Sequence, residues 1–296
     1  MKRRDFLTSV GLATLAMTFA KRPLFAAEKK AKILYYTRSV SAEHSPVILQ
    51  PDGETLSGRV LKKWGEKHQV EFVCEKDGTV FDGDLDQFDG FAFYTAGDLD
   101  AEQSLDGSKP MSREGKARFM KAVEQGKGFV GFHATSDSWR DVNQPPYENQ
   151  ENIDPFLVML GGEFYVHGEQ QDSKMLISNS ADMPWLKNKG AHFELFEEWY
   201  CLKNFNKDMH VILTQDTTTM RNECYQRPPY PATWARLHGK GRVAYTSLGH
   251  RDEIWQDDDY VDFFGELIEW SIGRFDMDLT PNIDKVTPGA AILQNK

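Results

Sequence analysis

The 296-residue chain is poor in the features that would staple it together or tie it to a charged polymer. It has only three cysteines, Cys74, Cys201 and Cys224, and no C-x-x-C pair. That excludes a disulfide-rich scaffold, a zinc ribbon and a thioredoxin-type redox site, and leaves room for at most one disulfide. Positive charge is also scarce, with 35 Lys and Arg against 45 Asp and Glu for a net charge of −10, which argues against nucleic acid or an anionic membrane as the main partner. There is no internal repeat, no low-complexity tract and no Gly-, Pro- or Ser-rich linker. With 40% hydrophobic and 12% aromatic residues, the chain can bury one large core and reads as a single elaborated domain.

The N-terminus begins with basic residues, Lys2, Arg3 and Arg4, followed by an apolar stretch from Val10 to Ala20 and small residues at Ala26 and Ala27. The stretch is too short for a comfortable bilayer span. Charged start, apolar middle and Ala boundary make a secretory signal, and the paired arginines before Phe6 and Leu7 resemble the twin-arginine type. Residues 1–27 are therefore expected to be an export signal, giving a periplasmic protein with no membrane span once it is removed. The remaining chain divides into a main domain over 28–275 and a tail over 276–296, expected to be loosely attached.

The main domain alternates short buried strands with amphipathic helices. Strands are expected at 32–37, 70–74, 90–94 and 128–132, the last two rich in Phe and Gly. A helix over 112–125 ends at Gly126, and another carries Leu56, Val60, Leu61 and Trp64 on one stripe. Further strands are expected at 174–177, 211–214, 232–235 and 242–246. A closing helix over 259–273 places Val261, Phe264, Leu267, Ile268 and Ile272 on one face, with Asp257 to Asp259 at its positive end. Such alternation predicts an α/β fold of three layers, a mostly parallel sheet with helices on both faces and ligand groups beyond the strand ends.

Four segments concentrate chemistry. His133 ends a predicted strand and precedes Asp137 and Trp139. His167 closes the run that starts at Gly161. Glu197, Glu198, Trp199 and Tyr200 are consecutive, and His250 follows the last predicted strand. Three imidazoles and a carboxylate are hard to bury together without a cation, since each unpaired polar group in an apolar crevice costs about 1–3 kcal/mol. The expected ligands of a divalent metal are His133, His167, Glu198 and His250. Nitrogen and oxygen ligands without thiolate suit zinc, and also manganese or iron. No H-E-x-x-H occurs, so the metal reading rests on the whole set. Adjacent strand residues face opposite ways, so only one of Glu197 and Glu198 enters the site. Asp137, Glu197 and Tyr200 are the expected catalytic groups. Trp139, Trp199, Trp234 and Trp255 are candidates to stack on a sugar. His44, His68, His210 and His238 read as surface groups. No nucleotide cofactor is expected.

These segments, together with Pro231 to Trp234 and Gly239 to His250, resemble the ThuA-like (trehalose utilisation) family over roughly residues 32–273. The resemblance implies a class I glutamine amidotransferase-like fold and a role in breaking down disaccharides or glycosides, beside an oxidoreductase that makes 3-keto sugars. It also marks a departure. Amidotransferases of this fold carry a nucleophilic cysteine at the turn after the corresponding strand, where this chain has His133 and Ala134. The resulting expectation is a metal-assisted enzyme acting on a (3-keto) glycoside by elimination, hydration, isomerisation or hydrolysis, and not a cysteine-dependent amidotransferase. Two alternatives stand beside it: a non-catalytic sugar-binding or scaffold domain, and a metal-dependent hydrolase of another ester or amide.

Overall fold

The computed structural model describes residues 30–178 and 183–294; the expected export signal lies outside them. Its centre is a run of parallel strands, β1 (Ala31–Tyr36), β2 (Val70–Glu75), β3 (Gly90–Phe93), β4 (Gly128–Phe132) and β11 (Gly241–Thr246), in the order β2-β1-β3-β4-β11. Every residue of β3 and β4 is buried, as expected of strands covered on both faces. The two faces carry different aromatic clusters. Phe93 and Phe129 pack on Phe119 of α2 (Arg113–Glu124) and Phe156 of α3 (Pro155–Leu160), while Phe132 packs on Phe264 of α5 (Asp258–Ser271). α1 (Leu56–His68) lies beside α5. The three-layer α/β architecture follows from this alternation of side chains along each strand.

Beyond β11 the sheet continues antiparallel through β10 (Tyr230–His238), β9 (His210–Asp216), β6 (Gln171–Ile177) and β7 (His192–Glu197). A separate two-stranded ribbon pairs β5 (Glu163–His167) with β8 (Tyr200–Lys203). The connection Glu198–Trp199 thus passes from the main sheet to the ribbon. The helices carry the caps their sequences announce. Thr55 accepts the Gly58 N–H at the start of α1 and Ser112 accepts the Gly115 N–H at the start of α2.

The segment after Asp276, expected to be loose, is packed. Ile283, Ala290 and Leu293 are buried, Asn282 exchanges two hydrogen bonds with the backbone of Val211, and Arg227 donates to the Ala290 carbonyl. Its apolar residues find a groove beside β9, and polar side chains fix its backbone. His210, expected on the surface, is buried at the start of β9 with Nδ1 2.8 Å from the Thr280 carbonyl of this segment. His68 is part-exposed, stacked on Trp64. Cys201 and Cys224 are free, buried thiols, the Cys201 S–H donating to the Cys224 carbonyl at 3.3 Å. Among the described residues no helix is long and apolar enough to cross a membrane.

Candidate metal centre

The loops at the C-terminal ends of β1, β4 and β11 meet the connection between β7 and β8. His133 is the first residue after β4, and its backbone lies in the left-handed region at φ 38°, costly for a residue with a Cβ. This turn aims the imidazole back across the strand ends, where Nδ1 sits 2.8 Å from the Ser247 carbonyl after β11. His250 follows Gly249, whose φ of 115° only glycine adopts freely. His44 stands on the loop after β1. That loop is tied down by the buried Arg38, whose guanidinium donates to the carbonyls of Ser108 and Ala101, and by Gly97, where a Cβ would lie 2.6 Å from the Ser41 nitrogen.

Four ligand atoms, one each from His44, His133, Glu198 and His250, all lie within 4.8 Å of one another. Glu198 Oε2 is 3.3 Å from His133 Nε2, 3.0 Å from His250 Nδ1 and 4.0 Å from His44 Nε2. His250 Nδ1 is 3.3 Å from His133 Nε2. The expected convergence of His133, Glu198 and His250 is present in the geometry. His44 occupies the place expected for His167, and its expected surface position gives way to a buried one. His167 approaches from the ribbon, exposed, with Nδ1 3.4 Å from the other carboxylate oxygen of Glu198 and 2.9 Å from the Gly168 carbonyl.

The protons decide what this cluster can hold. A carbonyl only accepts, so His133 Nδ1 carries the proton, and burial holds its pKa below the ordinary value, keeping the ring neutral. Its Nε2 is then a lone pair facing a carboxylate oxygen at 3.3 Å, an arrangement of two acceptors that a cation between them would relieve. Burial and the neighbouring imidazoles press His44 down to about 2, so it too is neutral. Burial pulls the Glu198 carboxyl up, but the contact with His250 Nδ1 at 3.0 Å, where a ring N–H can donate, holds it below the usual carboxylate range. An ionised carboxylate beside the neutral imidazoles of His44 and His133, the latter fixed by an N–H to carbonyl bond, and the ring of His250 fits a divalent cation.

The cluster opens onto a cavity of about 520 Å³ lined by Ser41, Glu43, Asp137, Arg140, Phe164 and Tyr200 beside the ligands. Tyr200 is buried and stays protonated, burial and Glu198 raising its pKa, with its hydroxyl 3.3 Å from His44 Nε2. Asp137 faces the cavity with both oxygens engaged, one by the Ser41 hydroxyl at 2.6 Å and one by Arg140 Nε at 2.7 Å. Glu197 points away into the protein. It is fully buried, accepts the Glu198 N–H, leaves Oε2 without a partner, and burial raises its pKa to about 7. Between the adjacent glutamates the cavity therefore receives Glu198.

None of the four tryptophans lines this cavity. Trp199, Trp234 and Trp255 are buried with their indole N–H groups donating to the carbonyls of Gln171, Leu160 and Gly249, and Trp139 donates to Asp100 under the Lys116 ammonium. Large apolar area and one satisfied donor place them in the core. The aromatic wall is Phe164, whose ring lies 4.1 Å from that of Tyr200. Sequence reasoning passed over His44, Arg140 and Phe164. For His44 the signal was available, since β1 is a buried parallel strand and the loop after it must also face the crevice.

The family model for ThuA, trehalose utilisation, matches residues 48–271. The chain belongs to the ThuA family. Solved structures agree on the fold. A ThuA-like protein from Bacteroides uniformis aligns with a TM-score of 0.60 at 20% identity, over 88% of this chain and 98% of that one. Another, from Parabacteroides merdae, aligns at 0.57 and 16% identity over 90% and 98%. A cytoplasmic protein of Salmonella typhimurium LT2 aligns at 0.53 and 10% identity over 81% and 99%. No match to a curated protein was found. In this ThuA-family chain His44 precedes the matched residues, while the other three members of the cluster fall inside them.

Proposed function

We propose that the chain is a metal-assisted enzyme of carbohydrate breakdown, acting on a glycoside or disaccharide oxidised to the 3-keto sugar. The observation that carries this reading is the lone-pair face of His133 Nε2 set against the Glu198 carboxylate, with His44 and His250 completing four ligands at the floor of a cavity. Those four residues would hold the ion. A divalent cation there supplies Lewis acidity toward a sugar oxygen, with zinc, manganese or iron compatible with the donors.

The chain's own groups divide the remaining work. A ketone acidifies the adjacent C–H, so elimination or isomerisation needs a base near the cavity wall. His167 suits that role: its Nδ1 proton is committed to the Gly168 carbonyl, leaving the Nε2 lone pair free to accept a proton. Tyr200, held protonated, donates a hydrogen bond to a substrate oxygen. Glu198 stays ionised beside His133 and His250. Asp137 orients Arg140. The proposal includes a sugar oxidoreductase as the source of the keto group, and twin-arginine export to the periplasm, which rests on residues 1–27.

The test is turnover. Full-length mature protein supplied with zinc, manganese or iron(II) and incubated with methyl 3-keto-glucoside and 3-keto-trehalose is expected to consume one of them, with activity lost on chelation. Absence of turnover on both, with each metal, contradicts the enzyme reading.

A further inference from the structure

Arg140 stands on the cavity wall with an unusual division of its donors. Its Nε donates to Asp137 Oδ1 at 2.7 Å, and its guanidinium carbon lies 5.3 Å from the centre of the Phe164 ring. Among the described residues neither terminal amino group has a hydrogen-bond partner, although the side chain is only 20% exposed. The anchor is itself fixed: the other oxygen of Asp137 accepts the Ser41 hydroxyl at 2.6 Å, and Phe164 is wedged against Tyr200. An arginine serving only as a structural tie usually spends its fork on carbonyls, as Arg38 and Arg227 do here. Arg140 spends one donor on its own orientation and lines the cavity beside the ligand cluster with the remaining pair uncommitted.

We propose that Arg140 is the substrate-orienting residue of this cavity, its two terminal amino groups donating to adjacent oxygens of a sugar ring, a keto-alcohol or vicinal diol. The inference rests on the carbohydrate reading above and adds the group that sets the ring's position. The planar fork spaces two parallel N–H donors for neighbouring oxygens, which a lysine ammonium cannot match. Because Ser41, Asp137 and Phe164 hold the guanidinium before a ligand arrives, little side-chain entropy remains to be lost on binding. Asp137 balances the charge of Arg140, so a neutral polyol suits the wall without a carboxylate or phosphate of its own. Arg140 is a positioning residue: it makes no contact with the four-ligand cluster.

The experiment is calorimetric binding to the full-length mature protein with its cation removed, so that the compound is bound without being consumed, using methyl 3-keto-glucoside and the same compound lacking both hydroxyls that flank the ketone. Wild type is expected to bind the first and to lose about 10- to 100-fold on the second, the worth of hydrogen bonds from a charged donor. Arg140→Met is expected to bind the first that much more weakly and to show little further penalty for the deoxy compound. Arg140→Lys should fail to restore affinity. Unchanged cation uptake and melting temperature certify the variants as folded, and Arg140→Lys serves if Arg140→Met does not fold. Wild-type affinity in the variants, or an undiminished deoxy penalty, overturns the role of Arg140 and leaves the carbohydrate reading standing. A wild type that binds neither compound overturns both.

Discussion

His133 and His250 leave the ends of two hydrogen-bonded parallel strands, whereas Glu198, Tyr200 and His167 arrive from the antiparallel side on a two-residue connection and a short ribbon. The first pair is set by the core. Phe129 and Phe132 anchor β4 on opposite faces, and the turn that follows has one way to point its imidazole. The second set is held by polar ties to loops: Tyr225 accepts the Gly168 N–H and donates to the Trp199 carbonyl, and Trp199 donates to Gln171. The parallel half thus supplies a floor packed into the core, and the antiparallel half supplies the carboxylate of the cluster and groups lining the cavity. Changes in the floor should cost stability, and changes in the added half should cost binding.

Phe129→Ala makes the sharpest test of that division. It empties a fully buried position on the parallel strand β4 against Phe119 and Phe156, so about 3–5 kcal/mol of stability should go. Cation affinity per folded molecule should stay unchanged, as measured by denaturant melts beside metal titration. Glu198→Ala is its converse. Even outer partners of metal ligands are worth about 10- to 100-fold in affinity, so removal of the only carboxylate in the cluster should exceed about 100-fold by competition with a chromophoric chelator.

Acid should act on the same cluster. His44 and His133 have folded pKa values below their unfolded ones, so their contribution is present above about 6.5 and is lost as pH falls below it. Glu197, raised to about 7, works in the opposite direction and costs stability as pH rises from about 4.5 to 7. Glu266, also raised to about 7 by burial, acts in the same direction as Glu197, so the imidazole share in chelated protein is read between pH 5 and 7 as the difference between wild type and His44→Ala, a loss toward acid of at most about 1.4 kcal/mol per pH unit. Thermal melts across that range check the sign. A smaller effect is expected from Gln170→Ala, since the Gln170 amide contacts His250 Nε2 at 2.9 Å and accepts from Arg251: about tenfold in cation affinity, with no change in melting of the chelated protein.

The same contrast explains what could be read from the chain alone. Buried apolar runs with glycine stops announced the parallel strands, and β4 appears at the expected residues. His133 and His250 were legible because they sit where such strands end. β5 and β8 were not: they are short, and their pairing skips a residue at Tyr165, which destroys a two-residue period. His44 was passed over because Arg38, Glu43 and the serines around it read as a solvated loop, although Arg38 and His44 are buried. The tryptophans misled for the opposite reason. They lie beside the site in sequence, but an indole with one backbone acceptor is at home in a core.

The central claim is a single cation on His44, His133, Glu198 and His250, with His167 outside the ligand set. Calorimetric titration of chelated protein with zinc or manganese, on wild type, His44→Ala, His133→Gly and His167→Ala, tests it most directly; glycine at 133 suits the left-handed backbone. One ion per wild-type chain is expected, with comparable large losses of affinity in the first two variants and nearly unchanged binding in His167→Ala. A wild type that binds no ion, or binding that survives His44→Ala and disappears with His167→Ala, would contradict it.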